Sequence, residues 1–207
     1  DLNSTGSPHY VVNGILNTEA EALDGALTAH KSLSKFSNVI PAYSASNGSV
    51  KDGKTVYQCL YNSFHSNEFI QMFREELISV SAEMDRRNDY RKIFITAFSR
   101  GVAETYFAVR DLPAEVKNRL IITCLGGILV MPKNCGFIVN NYIFSASPSD
   151  FDLFPNVQWN QYKCNRHSDV LMLSGNFPVS LLSWTYHCDS WLWHKSHGRF
   201  YLFPDNI

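Results

Sequence analysis

An excess of charge of either sign is the first thing this sequence lacks. Its 207 residues hold 18 Lys and Arg against 19 Asp and Glu, and the basic residues form no stripe. A nucleic-acid groove or an anionic membrane surface needs such a stripe, so no nucleic-acid partner is expected. Cysteine is scarce and scattered: Cys59, Cys124, Cys135, Cys164 and Cys188 contain no C-x-x-C. An odd, dispersed set suits reduced core thiols in a cytoplasm-like compartment better than a disulfide framework. Long hydrophobic runs are missing too. The longest, around Leu120–Met131, is too short and too glycine-interrupted to span a bilayer, and no signal-peptide pattern is visible. Asp1 is not a native start, so membrane association is expected only through segments outside these residues.

What is present is a globular composition, 45% hydrophobic and 14% aromatic, in a length that suits one large domain. Residues 1–10 are small and polar and read as the end of a linker; residues 11–207 read as the domain. Tyr10–Gly14 is a short strand closed by an Asn-Gly turn. Thr18 caps a helix that carries Glu19 and Glu21 in its first turn, where negative charge suits the dipole, and that runs to about Ser34. Asn38–Ser44 is a second strand, and Ser44–Ser66 a long polar loop. From Glu68 to about Arg87, Phe69, Met72, Phe73, Leu77 and Val80 recur at helical spacing.

Arg91–Phe98 is then a strand, Gly101–Leu112 a helix stopped by Pro113, and Leu120–Val130 and Phe137–Ser145 two further strands. The near-continuous hydrophobicity of these two predicts burial on both faces. Ser168–Ser174 is the last strand. Alternating strand and helix predicts an α/β fold, a mostly parallel β-sheet flanked by helices.

The most informative segment runs from Ile93 to Val109. A buried strand passes directly into an amphipathic helix, and Ser99 stands at the turn in an A-x-S-x-G pattern. In a nucleophile elbow, small residues two before and two after the serine let strand and helix pass closely. Ala97 and Gly101 occupy those places. The turn would hold the Ser99 hydroxyl above the sheet edge, with the backbone N–H of Arg100 at the positive end of the helix, ready to bind an oxyanion. The competing reading is a serine that merely caps the helix.

A serine hydrolase of the α/β type orders its triad as serine, acid, histidine. The acid belongs just past a later strand, where Ser-Pro-Ser-Asp150-Phe-Asp152 stands. Asp150 is nearer the strand end and is preferred. Three histidines, His187, His194 and His197, follow the last strand, and spacing does not choose among them. Cys164, His167, His187, Cys188, His194 and His197 are also zinc-type residues. They form no C-x-x-C knuckle, and an aromatic-rich stretch separates their two groups, so no metal is expected.

Val12–Ala22, the elbow, the strand Leu120–Pro132 with its Gly-Gly, and Ser-Asp150-Phe-Asp resemble a lipase-like α/β-hydrolase domain family of unknown function, expanded in chlamydiae and their relatives. So does a C-terminal block in which His194 precedes Tyr201 by seven residues, with Gly198 between. The resemblance spans roughly Val11–Tyr201, and the Phe-Ser-Arg-Gly run also resembles the elbow of a broader group of bacterial lipase-like proteins. It implies Ser99 as nucleophile, Asp150 as acid and His194 as base. It also implies that the Asn13-Gly14-Ile15 turn supplies a second oxyanion donor, the Ile15 N–H, beside that of Arg100. Ala97 stands where Gly is commoner, Trp193 where an acidic residue is usual, and Ser196 where an aromatic is usual.

The expected function is hydrolysis of a lipid or small acyl ester without a metal or organic cofactor. Ser44–Ser66 and Trp184–Trp193 are expected to form the lid and the acyl-site walls. The alternative, favoured by the altered surroundings of His194, is a catalytically inactive hydrolase-fold binding protein or a secreted effector scaffold. The expected location is cytoplasmic, or inside a host cell to which an intracellular bacterium delivers the protein. The sequence sets no oligomeric state.

Overall fold

In a computed structural model of the chain, the described residues are 6–14, 17–33, 37–45, 67–125, 131–132, 135–145 and 170–174. The first strand, β1 (Ser7–Val12), starts at Ser7 rather than Tyr10, so residues 7–10 are not linker. Their polar look is misleading because His9 is buried with its ring nitrogens satisfied. Nε2 lies 2.8 Å from Thr96 Oγ1, and Nδ1 lies 3.5 Å from Ser37 Oγ. A buried polar group that keeps its hydrogen bonds is tolerated in a central strand.

Helix α1 (Glu19–Leu33) begins as expected. Thr18 Oγ1 accepts from Glu21 N–H, while a Glu21 carboxylate oxygen accepts from Thr18 N–H at 2.8 Å, a reciprocal capping box. Strand β2 (Ser37–Ala42) follows. Helix α2 (Glu68–Arg86) is capped by Asn67, in extended backbone, whose side chain accepts from Ile70 N–H at 2.8 Å. Its buried stripe is Ile70, Phe73, Leu77, Ser81 and Met84, at steps of three and four. Met72, part of the apolar pattern in the sequence, falls off that stripe and is 62% exposed.

Strand β3 (Ile93–Phe98) and helix α3 (Arg100–Val109) meet at Ser99 with nothing else between them. A one-turn helix, α4 (Ala114–Lys117), follows Pro113. It is too short for periodicity to reveal. Strands β4 (Leu120–Leu125), β5 (Ile138–Ser145) and β6 (Val170–Ser174) complete the described elements. The expected extension of β4 to Val130 lies outside the described residues.

Among the described residues six strands form one sheet in the order β2-β1-β3-β4-β5-β6, and every pairing is parallel. Side chains alternate between its faces. Tyr10, Val12, Ile93, Ile95, Ala97, Leu120, Ile122 and Cys124 point to the face covered by α2 and α3, where they meet Phe73, Leu77, Val102 and Phe107. Val11 and Leu125 point the other way and pack with Ala26 and Ala29 of α1. With helices on both faces, the chain has the α/β architecture that the alternation of elements predicts. Cover on the α1 side is uneven. Ile138, read in sequence as part of a strand buried on both faces, is 54% exposed, because α1 packs over β1 and β2.

Two consequences bear on function. Because all the strands are parallel, Val12, Ala42, Phe98, Leu125, Ser145 and Ser174 end along one edge of the sheet. The strand order reverses between β1 and β3, and crevices at such a switch point, beyond the carboxyl ends of the strands, are where open α/β sheets bind ligands. Among the described residues no helix is long and apolar enough to cross a membrane. Cys124 and Cys135 carry free thiols, and burial pushes that of Cys124 well above the usual range.

Candidate active site

Ser99 stands at that switch point. Its backbone adopts φ 51° and ψ −120°, a conformation that L-residues other than glycine rarely take. A serine acting only as a helix cap takes extended backbone and turns its oxygen onto an N–H of the first turn. Asn67 does so for α2. Ser99 makes no side-chain capping bond, so the capping reading does not describe it. Its own N–H donates to Leu125 O at 3.1 Å, and its carbonyl accepts from Val102 N–H at 3.1 Å. The turn is thereby pinned between the end of β4 and the first turn of α3. The residue is 7% exposed.

The small residues around Ser99 are there because backbone passes backbone. A Cβ on Gly101 would lie 2.4 Å from Asn13 O, closer than real side chains approach, and 3.0 Å from Val12 Cγ1. A Cβ on Gly14 would come within 3.1 Å of Ser99 Cβ. Ala97 is fully buried and aligned between Val12 and Cys124 of the neighbouring strands. The A-x-S-x-G pattern therefore has the steric basis expected of it. The glycine of the Asn13-Gly14 turn is the residue packed against the serine.

Around this turn lies a buried polar network that sequence reasoning missed. Arg100, read only as a backbone donor, has a guanidinium that is 2% exposed, and its ion-pair partner Glu104 is 1% exposed. Arg100 Nε lies 3.4 Å from Glu104 Oε2. Arg100 Nη2 donates to Ser44 Oγ at 2.9 Å, to Ser44 O at 3.1 Å and to Ala45 O at 3.3 Å. Asn13 Nδ2 donates to Ser44 O at 2.9 Å, and Asn13 Oδ1 accepts from Ser44 N–H at 2.6 Å. Glu104 Oε1 accepts from Asn67 Nδ2 at 2.9 Å, which carries the network to the cap of α2. One signal in the sequence pointed to it: an Arg and a Glu four apart on a helix otherwise almost wholly apolar.

Of the residues expected at the site, Ser99 and Arg100 are at the elbow, and Gly14, the neighbour of Ile15, is against Ser99. Ile15, Asp150, Asp152, His187, His194 and His197 lie outside the described residues, as do the zinc-type residues Cys164, His167 and Cys188. The expected lid and wall segments lie outside them too, apart from Ser44 and Ala45. Among the described residues no cluster of three or more His, Cys, Asp or Glu is arranged to hold a metal ion. No known protein-family description matches the chain. No curated protein matches it either.

Proposed function

We propose that the chain is a serine hydrolase of the α/β-hydrolase type, acting on a lipid or small acyl ester, a reading that agrees with the resemblance of its motifs to the lipase-like α/β-hydrolase domain family. The observation that carries this reading is the strained backbone of Ser99 at the switch point of a parallel sheet. Strain of this kind persists only where the surrounding structure over-determines it, and it clusters at functional sites. Here Gly14, Gly101 and the Leu125 carbonyl supply that over-determination. A strand-to-helix turn that lifts a serine hydroxyl above the sheet, with the first helical N–H beside it, is the working arrangement of a nucleophile elbow.

In this reading Ser99 attacks the ester carbonyl while His194 takes its proton. Asp150 holds the imidazole tautomer and stabilises the imidazolium. The N–H groups of Arg100 and Ile15 receive the charge on the tetrahedral oxygen. The alkoxide leaves with the proton from His194, and water then releases the acyl group by the same steps in reverse roles. Chain lengths support the assignment of the acid. Asp150 follows the end of β5 by five residues, a reach of roughly 17 Å. β5 lies two strands from β3, about 10 Å away.

The test is labelling with a fluorophosphonate, which reacts with activated serines. A single adduct on Ser99, lost in Ser99→Ala and in His194→Ala, is the expected result. A folded protein that forms no adduct at neutral pH, or forms it on another serine, makes the non-catalytic binding protein the better account.

A further inference from the structure

We propose that the Arg100 side chain is a positioning residue, which holds the Asn13-Gly14 turn against Ser99 and so fixes the backbone that packs beside the nucleophile. The inference rests on the serine-hydrolase reading. It adds a residue whose side chain that reading leaves without a role.

An arginine at the first position of a helix is ordinarily a surface residue with its charge in water. Here it sits where the helix dipole disfavours a cation, and its guanidinium is buried with Glu104. Taking both charges out of water is costly, and their mutual attraction does little more than offset that cost. The arrangement is therefore a poor source of stability, and its geometry shows what it holds. Three chain segments reach the same edge of the sheet at the site: residues 13–14 after β1, residues 44–45 after β2, and the elbow after β3. The first two and Ser99 lie outside regular secondary structure, and no sheet ladder holds the three segments to one another there. Arg100 Nη2 reaches the Ser44 carbonyl, the Ser44 hydroxyl and the Ala45 carbonyl from the elbow. The Ser44 peptide in turn is grasped on both its N–H and its C=O by the Asn13 side chain. Asn13 Nδ2 also donates to the Gly14 carbonyl at 2.8 Å.

The result is a closed loop. The backbone of Asn13 and Gly14 touches Ser99 and Gly101, with no room for a Cβ on Gly101 and a tight fit for one on Gly14, while the Asn13 side chain is tied through Ser44 back to Arg100. One residue thus offers its N–H at the elbow, and through its side chain fixes the turn that packs against the serine. Glu104 orients the guanidinium, and Asn67 orients Glu104. An oxyanion hole depends on donors that do not reorganise as charge develops. Loosening this loop should slow the chemical step and leave ester binding alone.

The experiment compares Arg100→Lys and Ser44→Ala with the wild-type chain. Lysine keeps the charge but, as a single point donor, does not span Ser44 and Glu104 together. Ser44→Ala removes one acceptor of the clamp and keeps the test available if Arg100→Lys does not fold. With p-nitrophenyl acetate, Arg100→Lys is expected to lower kcat about 10- to 100-fold with KM changed less than about threefold, in line with the cost of small misplacements. Ser44→Ala should do the same to a smaller extent. Amide exchange at Gly14 and Ser44 should quicken in both variants, while Ile95 in β3 stays protected. A wild-type protein labelled at Ser99 whose two variants keep their kcat overturns this inference alone. So does a fall in kcat matched by global loss of protection, which marks a merely structural role. A wild-type protein that is not labelled at Ser99 overturns the hydrolase reading and this inference with it.

Discussion

Replacing Ser99 by glycine should make the protein more stable than replacing it by alanine, the reverse of the usual order. At an ordinary position, glycine costs roughly 0.5–1 kcal/mol relative to alanine, because the unfolded chain gains freedom. Ser99 is held at φ 51° and ψ −120°. A residue with a Cβ in such a region carries about 1–3 kcal/mol of backbone strain, which alanine keeps and glycine loses. No side-chain capping bond offsets the comparison, since Ser99 makes none. Setting a strain of about 2 kcal/mol against the entropy cost leaves glycine ahead by about 1 kcal/mol. For a chain of this size that is a rise of roughly 2–4 °C in Tm over the alanine variant. Urea unfolding followed by circular dichroism, with both variants at equal m-value, measures the difference. Neither variant should react with a fluorophosphonate, so stability and reactivity are separated. If Ser99→Gly proves equal to or less stable than Ser99→Ala, the elbow is unstrained and the argument from backbone geometry to function fails.

Gly101→Ala should destabilise by about 1–3 kcal/mol despite alanine's better helix propensity, because its Cβ would meet the Asn13 carbonyl at 2.4 Å. Thermal melting checks the loss, and slower labelling of Ser99 checks the displaced turn. Glu104→Ala should cost roughly 3–5 kcal/mol by leaving the Arg100 charge buried without its ion-pair partner, whereas Glu104→Gln, which can still accept from Asn67, should cost less; chemical denaturation of the two variants tests the order. His9 gives a pH dependence. Burial lowers its pKa from 6.5 to about 4, so the folded state favours the neutral ring. That contribution is fully present above pH 6.5 and is lost as pH falls towards and through 4. Between pH 7 and pH 5 the loss should be about 2 kcal/mol. A His9→Asn variant should show a shallower fall over the same interval in urea titrations, and an identical fall would remove His9 as its source.

By itself the sequence determined what local pattern can encode. Steps of three and four mark α2, Thr18 and Glu21 mark the start of α1, and alternation of strand with helix marks a parallel sheet covered on both faces. The elbow was legible for the same reason, since small residues on each side of Ser99 are needed wherever a strand turns tightly into a helix. Tertiary structure alone decided which strands are neighbours. β1 pairs with both β2 and β3, and that order, rather than any motif, puts Ser99 at a switch point beside Gly14. It also decided the meaning of the polar residues. His9 looked like linker, and Arg100 was read only for its backbone N–H. The partner that buries His9 is Thr96, and the partner that buries Arg100 is Ser44, 56 residues away in the chain. Apolar residues advertise their burial through periodicity, whichever neighbours they meet. A polar residue is buried only if a specific donor or acceptor arrives to replace water, and that arrival is a long-range event no local window contains.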